Sequence, residues 1–168
     1  PKTQTDLWVL PLEGDRQPRP FLKTPAYEVS PVFSPDGRWL AYASAESGQF
    51  EVYVQAFAGG GKWQISSGGG QSPVWARNGR ELFYYSSSRL MSVTITTQPA
   101  FTASAPRPLF EGRPATLAAG TTSLYDVASD GQRFIMAKGA GAESGSAQVH
   151  LVLNWMEELK RQVPAGRN

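Results

Sequence analysis

Residues 30–44 read SPVFSPDGRWLAYAS, and the fold is decided by what surrounds the Asp36–Gly37 pair at their centre. Asp-Gly between two apolar runs is a strong short-range hairpin signal, because glycine takes positive φ without steric cost. The flanks alternate with period two, as strands do. The same chemistry returns at residues 72–86, SPVWARNGRELFYYS, and at residues 124–138, LYDVASDGQRFIMAK. The turn glycines Gly37, Gly79 and Gly131 are 42 and 52 residues apart. An apolar residue stands four before each (Phe33, Trp75, Val127), and Asp or Asn stands one before (Asp36, Asn78, Asp130). Further apolar residues follow at three (Leu40, Leu82, Phe134) and at five (Tyr42, Tyr84, Met136).

A third strand is expected after each hairpin, at residues 51–57 (EVYVQAF), 90–95 (LMSVTI) and 149–155 (VHLVLNW), and a copy opens the chain at 6–12 (DLWVLPL). A fourth, weaker strand is expected at residues 20–23, 62–66 and 108–111. Four short antiparallel strands in each repeat of roughly 42 residues is the layout of a β-propeller blade. A β-sandwich also spaces strands closely, but it gives no reason for one turn motif to return with matched flanks.

The expected fold is therefore all-β, a partial propeller of about three four-stranded blades over residues 1–155, followed by a short helical tail at 156–168. The pieces are a remnant at 6–23, blades at 27–67 and 71–112, and an incomplete blade at 123–155. Thirteen strands are not a multiple of four, and closed propellers have about four to eight blades, so missing N-terminal blades of the same polypeptide are the first expected partner. In the tail, Asn154 with Glu157 three residues on makes a capping-box-like start. Trp155, Leu159 and Val163 share one helical face, and Pro164 ends it; a frayed end is the alternative.

Composition agrees with this class. The 168 residues are 40% apolar and 11% aromatic, enough for a buried core, while only 18% are charged. Sixteen Lys and Arg against fourteen Asp and Glu leave +2, with no basic stripe for a phosphate backbone. Zero cysteines exclude disulfides, zinc-thiolate sites and thiol catalysis. No apolar run approaches the length of a membrane span, so this segment is not expected to insert into a membrane.

The residues 30–44 resemble the TolB-type, WD-like propeller repeat, whose signature is an SPDG turn followed by an aromatic-rich strand, and residues 72–86 are similar as a divergent copy. Residues 124–138 with VHLVLNWMEELKRQVP resemble the C-terminal end of propeller regions attached to bacterial eukaryotic-like Ser/Thr protein kinases. The resemblance implies a non-catalytic sensor or interaction module beyond the membrane, with the kinase upstream. An accessory propeller of a peptidase or hydrolase and a periplasmic TolB-like scaffold are the alternatives. The ligand or protein partner is unnamed by the residues.

Sites of chemistry are sparse. His150 is the only histidine and aligns with Trp8, Tyr53 and Met91, so it reads as a packing residue. No G-x-S-x-G is present, and GAESG at 141–145 misses that spacing. GGGK at 59–62 lacks the Ser or Thr and the helix of a phosphate loop. No catalytic residue, metal ligand or cofactor site is expected. Asp126, the one acid inside an inner strand, replaces Val32 and Val74. It is either a polar group beside the central channel or a hydrogen-bonding partner of a neighbouring blade's backbone. Phe33, Trp39, Trp75, Tyr84 and Tyr85 interleave with Arg38, Arg77 and Arg80, as in single-strand nucleic-acid binders. Alternation accounts for them, one set packing between blades and the other facing solvent, and no nucleic acid is expected. The connections 96–108 and 113–123, rich in Pro, Ala and Thr, are binding loops or loose inserts.

Overall fold

The computed structural model describes residues 3–112, 125–137 and 149–152. The expected tail helix and the whole connection 113–123 lie outside these residues. The fold is all-β. Strands β1 (Leu7–Val9) and β2 (Arg19–Leu22) form a two-stranded piece. Blade 1 is β3 (Glu28–Phe33), β4 (Trp39–Ser44), β5 (Glu51–Ala56) and β6 (Lys62–Gln64), in that spatial order. Blade 2 is β7 (Gln71–Trp75), β8 (Glu81–Ser86) and β9 (Arg89–Thr96), with β10 (Thr102–Ala103) and β11 (Arg107–Glu111) both on the outer edge of β9. Blade 3 holds β12 (Tyr125–Val127), β13 (Phe134–Ala137) and β14 (Val149–Val152). All pairs within these sheets are antiparallel.

The register repeats residue for residue. Phe33 faces Leu40, Trp75 faces Leu82 and Val127 faces Phe134 between first and second strands. Tyr42 faces Tyr53, Tyr84 faces Met91 and Met136 faces His150 between second and third. The three hairpins thus lie in three separate sheets, as blades require.

The turns repeat as well. Gly37, Gly79 and Gly131 have φ of 69°, 68° and 68°. Each N–H donates three residues back, to Ser34, Ala76 and Ala128, at 2.8 to 2.9 Å. Asp36, Asn78 and Asp130 keep negative φ; their side-chain oxygens accept the backbone N–H two residues on, at 3.1, 2.8 and 2.9 Å. Only the glycine is left-handed, and a Cβ there would find open space or, at Gly79, ordinary contact with Pro35. Gly37→Ala is therefore expected to cost about 1 kcal/mol, the left-handed penalty alone. Urea unfolding checks it: a loss above about 3 kcal/mol would mean the turn carries packing that the geometry does not show.

Three apolar layers hold the sheets together. Leu7 of the two-stranded piece meets Leu40, Tyr42 and Tyr53 of blade 1. Ala41, Val52 and Val54 on the other face of blade 1 meet Trp75, Leu82 and Tyr84 of blade 2. Phe83, Tyr85 and Leu90 on the far face of blade 2 meet Tyr125, Val127 and Phe134 of blade 3. The expectation that alternate aromatics face solvent is therefore corrected: Tyr84 and Tyr85 point to opposite faces and both are buried, since each blade is covered on both sides. Of that set it is Phe33 that stands about half exposed.

Two expected strand limits also change. The opening strand pairs over Leu7–Val9 and stops before Pro11, which lacks a donor for the ladder. The connection 96–108 is no loose insert, because β10 pairs Thr102 with Thr96 and Ala103 with Ile95. The loop proper is 97–101, and Ala105–Pro106 breaks the outer strand into β10 and β11.

Candidate binding cleft at the inner strands

The first strands β3 and β7 are the inner edges of their sheets, and each carries a Ser-Pro pair. Ser30 and Ser72 are left-handed, with φ of 55° and 53°, and the ladder shifts register between Val29 and Val32 and between Gln71 and Val74. These are β-bulges. The prolines that follow are tolerated because, among the described residues, no further strand pairs with that edge and needs their missing N–H. The bulged edges line a cleft of about 780 Å³ together with β1 and β12.

Asp126 lies on the wall of this cleft, exposed, with Oδ1 accepting the N–H of Val127 at 2.8 Å. The bond between blades is made by its neighbour: the Tyr125 hydroxyl donates to the Ser72 carbonyl at 2.8 Å, pinning blade 3 to the bulge of blade 2. Burial pushes the Tyr125 hydroxyl well above the usual phenol range, so it stays a donor. The turn residues Asp36, Gly37, Asn78, Gly79, Asp130 and Gly131 are not in this cleft.

Two further acids line it, Asp6 and Glu28. Glu28 is wholly buried; its Oε1 takes the Thr24 hydroxyl, and its Oε2 has no partner. Asp6 Oδ1 is likewise buried without one. Burial raises the Glu28 pKa, the Thr24 hydrogen bond opposes it, and the negative charge of Asp6 adds to the rise.

The repeat shows what is unusual here. Asp6, Thr24 and Glu28 stand at the positions of Glu51, Ser66 and Gly70 in the next repeat. Glu51 is also buried, but every oxygen is used: it accepts the Ser66 hydroxyl, the Gln49 amide and the N–H groups of Gly68 and Gly69, the last three at 2.8 Å. Gly70 is small by necessity, since a Cβ would lie 2.3 Å from Ser66 Oγ. Where the second connection has a glycine, the first has a second carboxylate. Aligning the repeats at these three positions, 45 residues apart for Asp6 and Glu51 and 42 for the other two, would have found the pair.

No protein-family description matches the chain. Over 50 residues it is 44% identical to the Tol-Pal system protein TolB of Thioalkalivibrio sulfidiphilus, a match covering 30% of this chain and 12% of that protein. An oligogalacturonate lyase of Vibrio parahaemolyticus superposes with a TM-score of 0.53 at 18% identity, over 81% of this chain and 37% of the lyase. A chain of a nidogen–laminin complex superposes at 0.55 and 15% identity, over 81% and 51%. The chain thus covers about half or less of each relative, and these structures bear on the fold alone. Blades stacked face to face, joined to a TolB-like stretch of sequence, give the chain a TolB-like β-propeller fold.

Proposed function

We propose that the chain is a non-catalytic binding module that works as part of a larger propeller. The observation that carries this is exposed apolar surface on β1 and the segment after it. Trp8 holds the repeat position of Tyr53, which points at the preceding piece and is 4% exposed. Trp8 points the same way and is 55% exposed, and the segment after β1 exposes Leu10 at 56% and Leu12 at 79%. Isolated apolar residues on a surface are ordinary, but three exposed within five residues, one on β1 and two in the segment that follows it, concentrate apolar surface there. A preceding blade of the same polypeptide would cover that surface as the two-stranded piece covers Tyr53, and two more strands would pair with the free edge of β1. The cleft at the inner strands then becomes part of the channel wall, where a protein or ligand would bind.

The finer assignment is an extracytoplasmic sensor region of a bacterial Ser/Thr protein kinase. It is supported by the resemblance of residues 124–138 and the following segment, and the location by the likeness to a Tol-Pal system protein. A TolB-like scaffold shares that location. Sedimentation of the purified chain tests the proposal. Concentration-dependent self-association is expected, and Trp8→Lys with Leu10→Lys should restore a monomer that still unfolds cooperatively. A wild-type monomer at every concentration, binding no apolar dye, would end the reading.

A further inference from the structure

On the far side of blades 1 and 2 from the bulges, the turns 34–39 and 76–81 face each other across a second cleft, of about 710 Å³. Both walls come from blades with a complete set of strands, so the site does not depend on the larger ring proposed above.

The three repeat turns treat charge differently. In blade 1 the turn acid holds its own arginine: Asp36 Oδ2 lies 2.6 Å from Arg38 Nε. In blade 3 Asp130 holds Arg133 at 2.9 Å. Blade 2 breaks the rule twice. Its turn acid is Asn78, which keeps the backbone hydrogen bond of the turn but carries no charge, so Arg80 is released. At the position of Pro35 and Ser129 it carries a second arginine, Arg77. Among the described residues neither guanidinium has a partner. The one carboxylate in the lining, Asp36, is already held by Arg38 and Ser34. The free charge facing this cleft is therefore that of two arginines.

The rest of the lining is rich in donors. Trp39 lines the cleft as well, and its indole N–H is buried with no acceptor, which costs free energy. Thr94, Thr96 and Gln98 supply hydroxyls and an amide from the blade 2 side. Paired planar guanidiniums match the oxygens of a carboxylate or phosphate bidentately. The volume lies within the range of small-ligand sites. Ordinary solvated arginines would not explain why the one turn that gains an arginine is also the one that loses its acid.

We propose that this cleft binds a small organic oxyanion, bearing carboxylate or phosphate groups, between the Arg77 and Arg80 guanidiniums. Bound there, an anion neutralises the blade 2 turn from outside, as Asp36 and Asp130 neutralise theirs from within.

The test is a titration of the whole ¹⁵N-labelled chain at constant ionic strength, with inorganic phosphate in one arm and citrate in the other. Saturable shifts are expected at the Gly79 amide and the Trp39 indole N–H. Binding by one arm alone identifies the group recognised. Asn78→Asp rebuilds the self-neutralised turn of the other blades and should weaken binding at least tenfold, about 1.4 kcal/mol. Arg77→Ala with Arg80→Ala should abolish it, with unfolding unchanged because both side chains are exposed. No saturable shift with either probe below about 10 mM, or equal affinity in the wild type and Asn78→Asp, would overturn the proposal.

Discussion

Glu51→Ala is expected to cost about 3 kcal/mol or more, the largest loss for any single polar residue in the described structure. The carboxylate is 2% exposed, yet it satisfies the Ser66 hydroxyl and the backbone N–H groups of Gly68 and Gly69, which belong to the connection between blades 1 and 2. Alanine leaves those donors buried without an acceptor. Glu51→Gln keeps an oxygen for the two glycine N–H groups and should cost about half as much. Acid pH provides the second reading of the same bond. Burial by itself would raise the Glu51 pKa, but the hydrogen bonds from Ser66, Gly69, Gln49 and Gly68 outweigh it and hold it below the ordinary value. A carboxyl with a depressed folded pKa gives stability that is complete above its unfolded pKa, about 4.3, and is lost as pH falls through the folded pKa. Glu28 has the opposite sign: its folded pKa is raised, so its ionised form costs stability at neutral pH and acid relieves that cost. Melting temperature measured from neutral to acid pH should therefore fall more steeply in the wild type than in Glu51→Gln, and less steeply than in Glu28→Gln. Parallel curves for wild type and Glu51→Gln would show that the carboxylate is not held as described.

The hairpins were legible because their chemistry is local. A glycine after Asp or Asn specifies its own turn, and Gly37, Gly79 and Gly131 adopt the same geometry to within a degree. Blade order followed from repetition of that one motif. What one turn cannot reveal is contact between turns. The cover on both faces of β8 is a property of three sheets stacked together, although the unbroken apolar run LFYY was the sign that neither face meets water. The Asp6–Glu28 pair escaped notice because each acid looks like an ordinary strand-end residue until it is set against Glu51 and Gly70. Asp126 was placed by strand alternation, and its neighbour Tyr125, aligned with two prolines, gave no sign that it would bind the Ser72 carbonyl. The segment after 96 was ambiguous for a different reason. Its composition is that of a loop, and the one residue that anchors it, Phe101, has no counterpart in the other repeats.

Phe101→Ala is expected to lower stability by about 3 to 5 kcal/mol, the range for deleting a buried aromatic. Phe101 is 7% exposed although it sits in a loop, and it belongs to blade 2 while the two rings it meets, Trp39 and Trp63, belong to blade 1. Its ring centroid lies 4.8 Å from Trp39 on β4 and 4.4 Å from Trp63 on β6, and the two indoles lie 5.5 Å apart. The loop 97–101 therefore folds back across the blade boundary and closes the outer end of the apolar layer between the two sheets. Without the ring, both indoles lose a tilted aromatic contact worth about 0.5 to 1.5 kcal/mol each, in addition to the cavity. Phe101→Leu keeps most of the volume but not the ring, so its loss measures the aromatic part alone and should be about 1 to 2 kcal/mol. Denaturant unfolding followed by tryptophan fluorescence separates the two outcomes, since Trp39 and Trp63 both report on this layer. A midpoint within about 0.5 kcal/mol of wild type in Phe101→Ala would put the loop on the surface, as its composition alone suggests. A loss confined to the alanine variant would show that the clamp between the blades works by filling space rather than by ring contact.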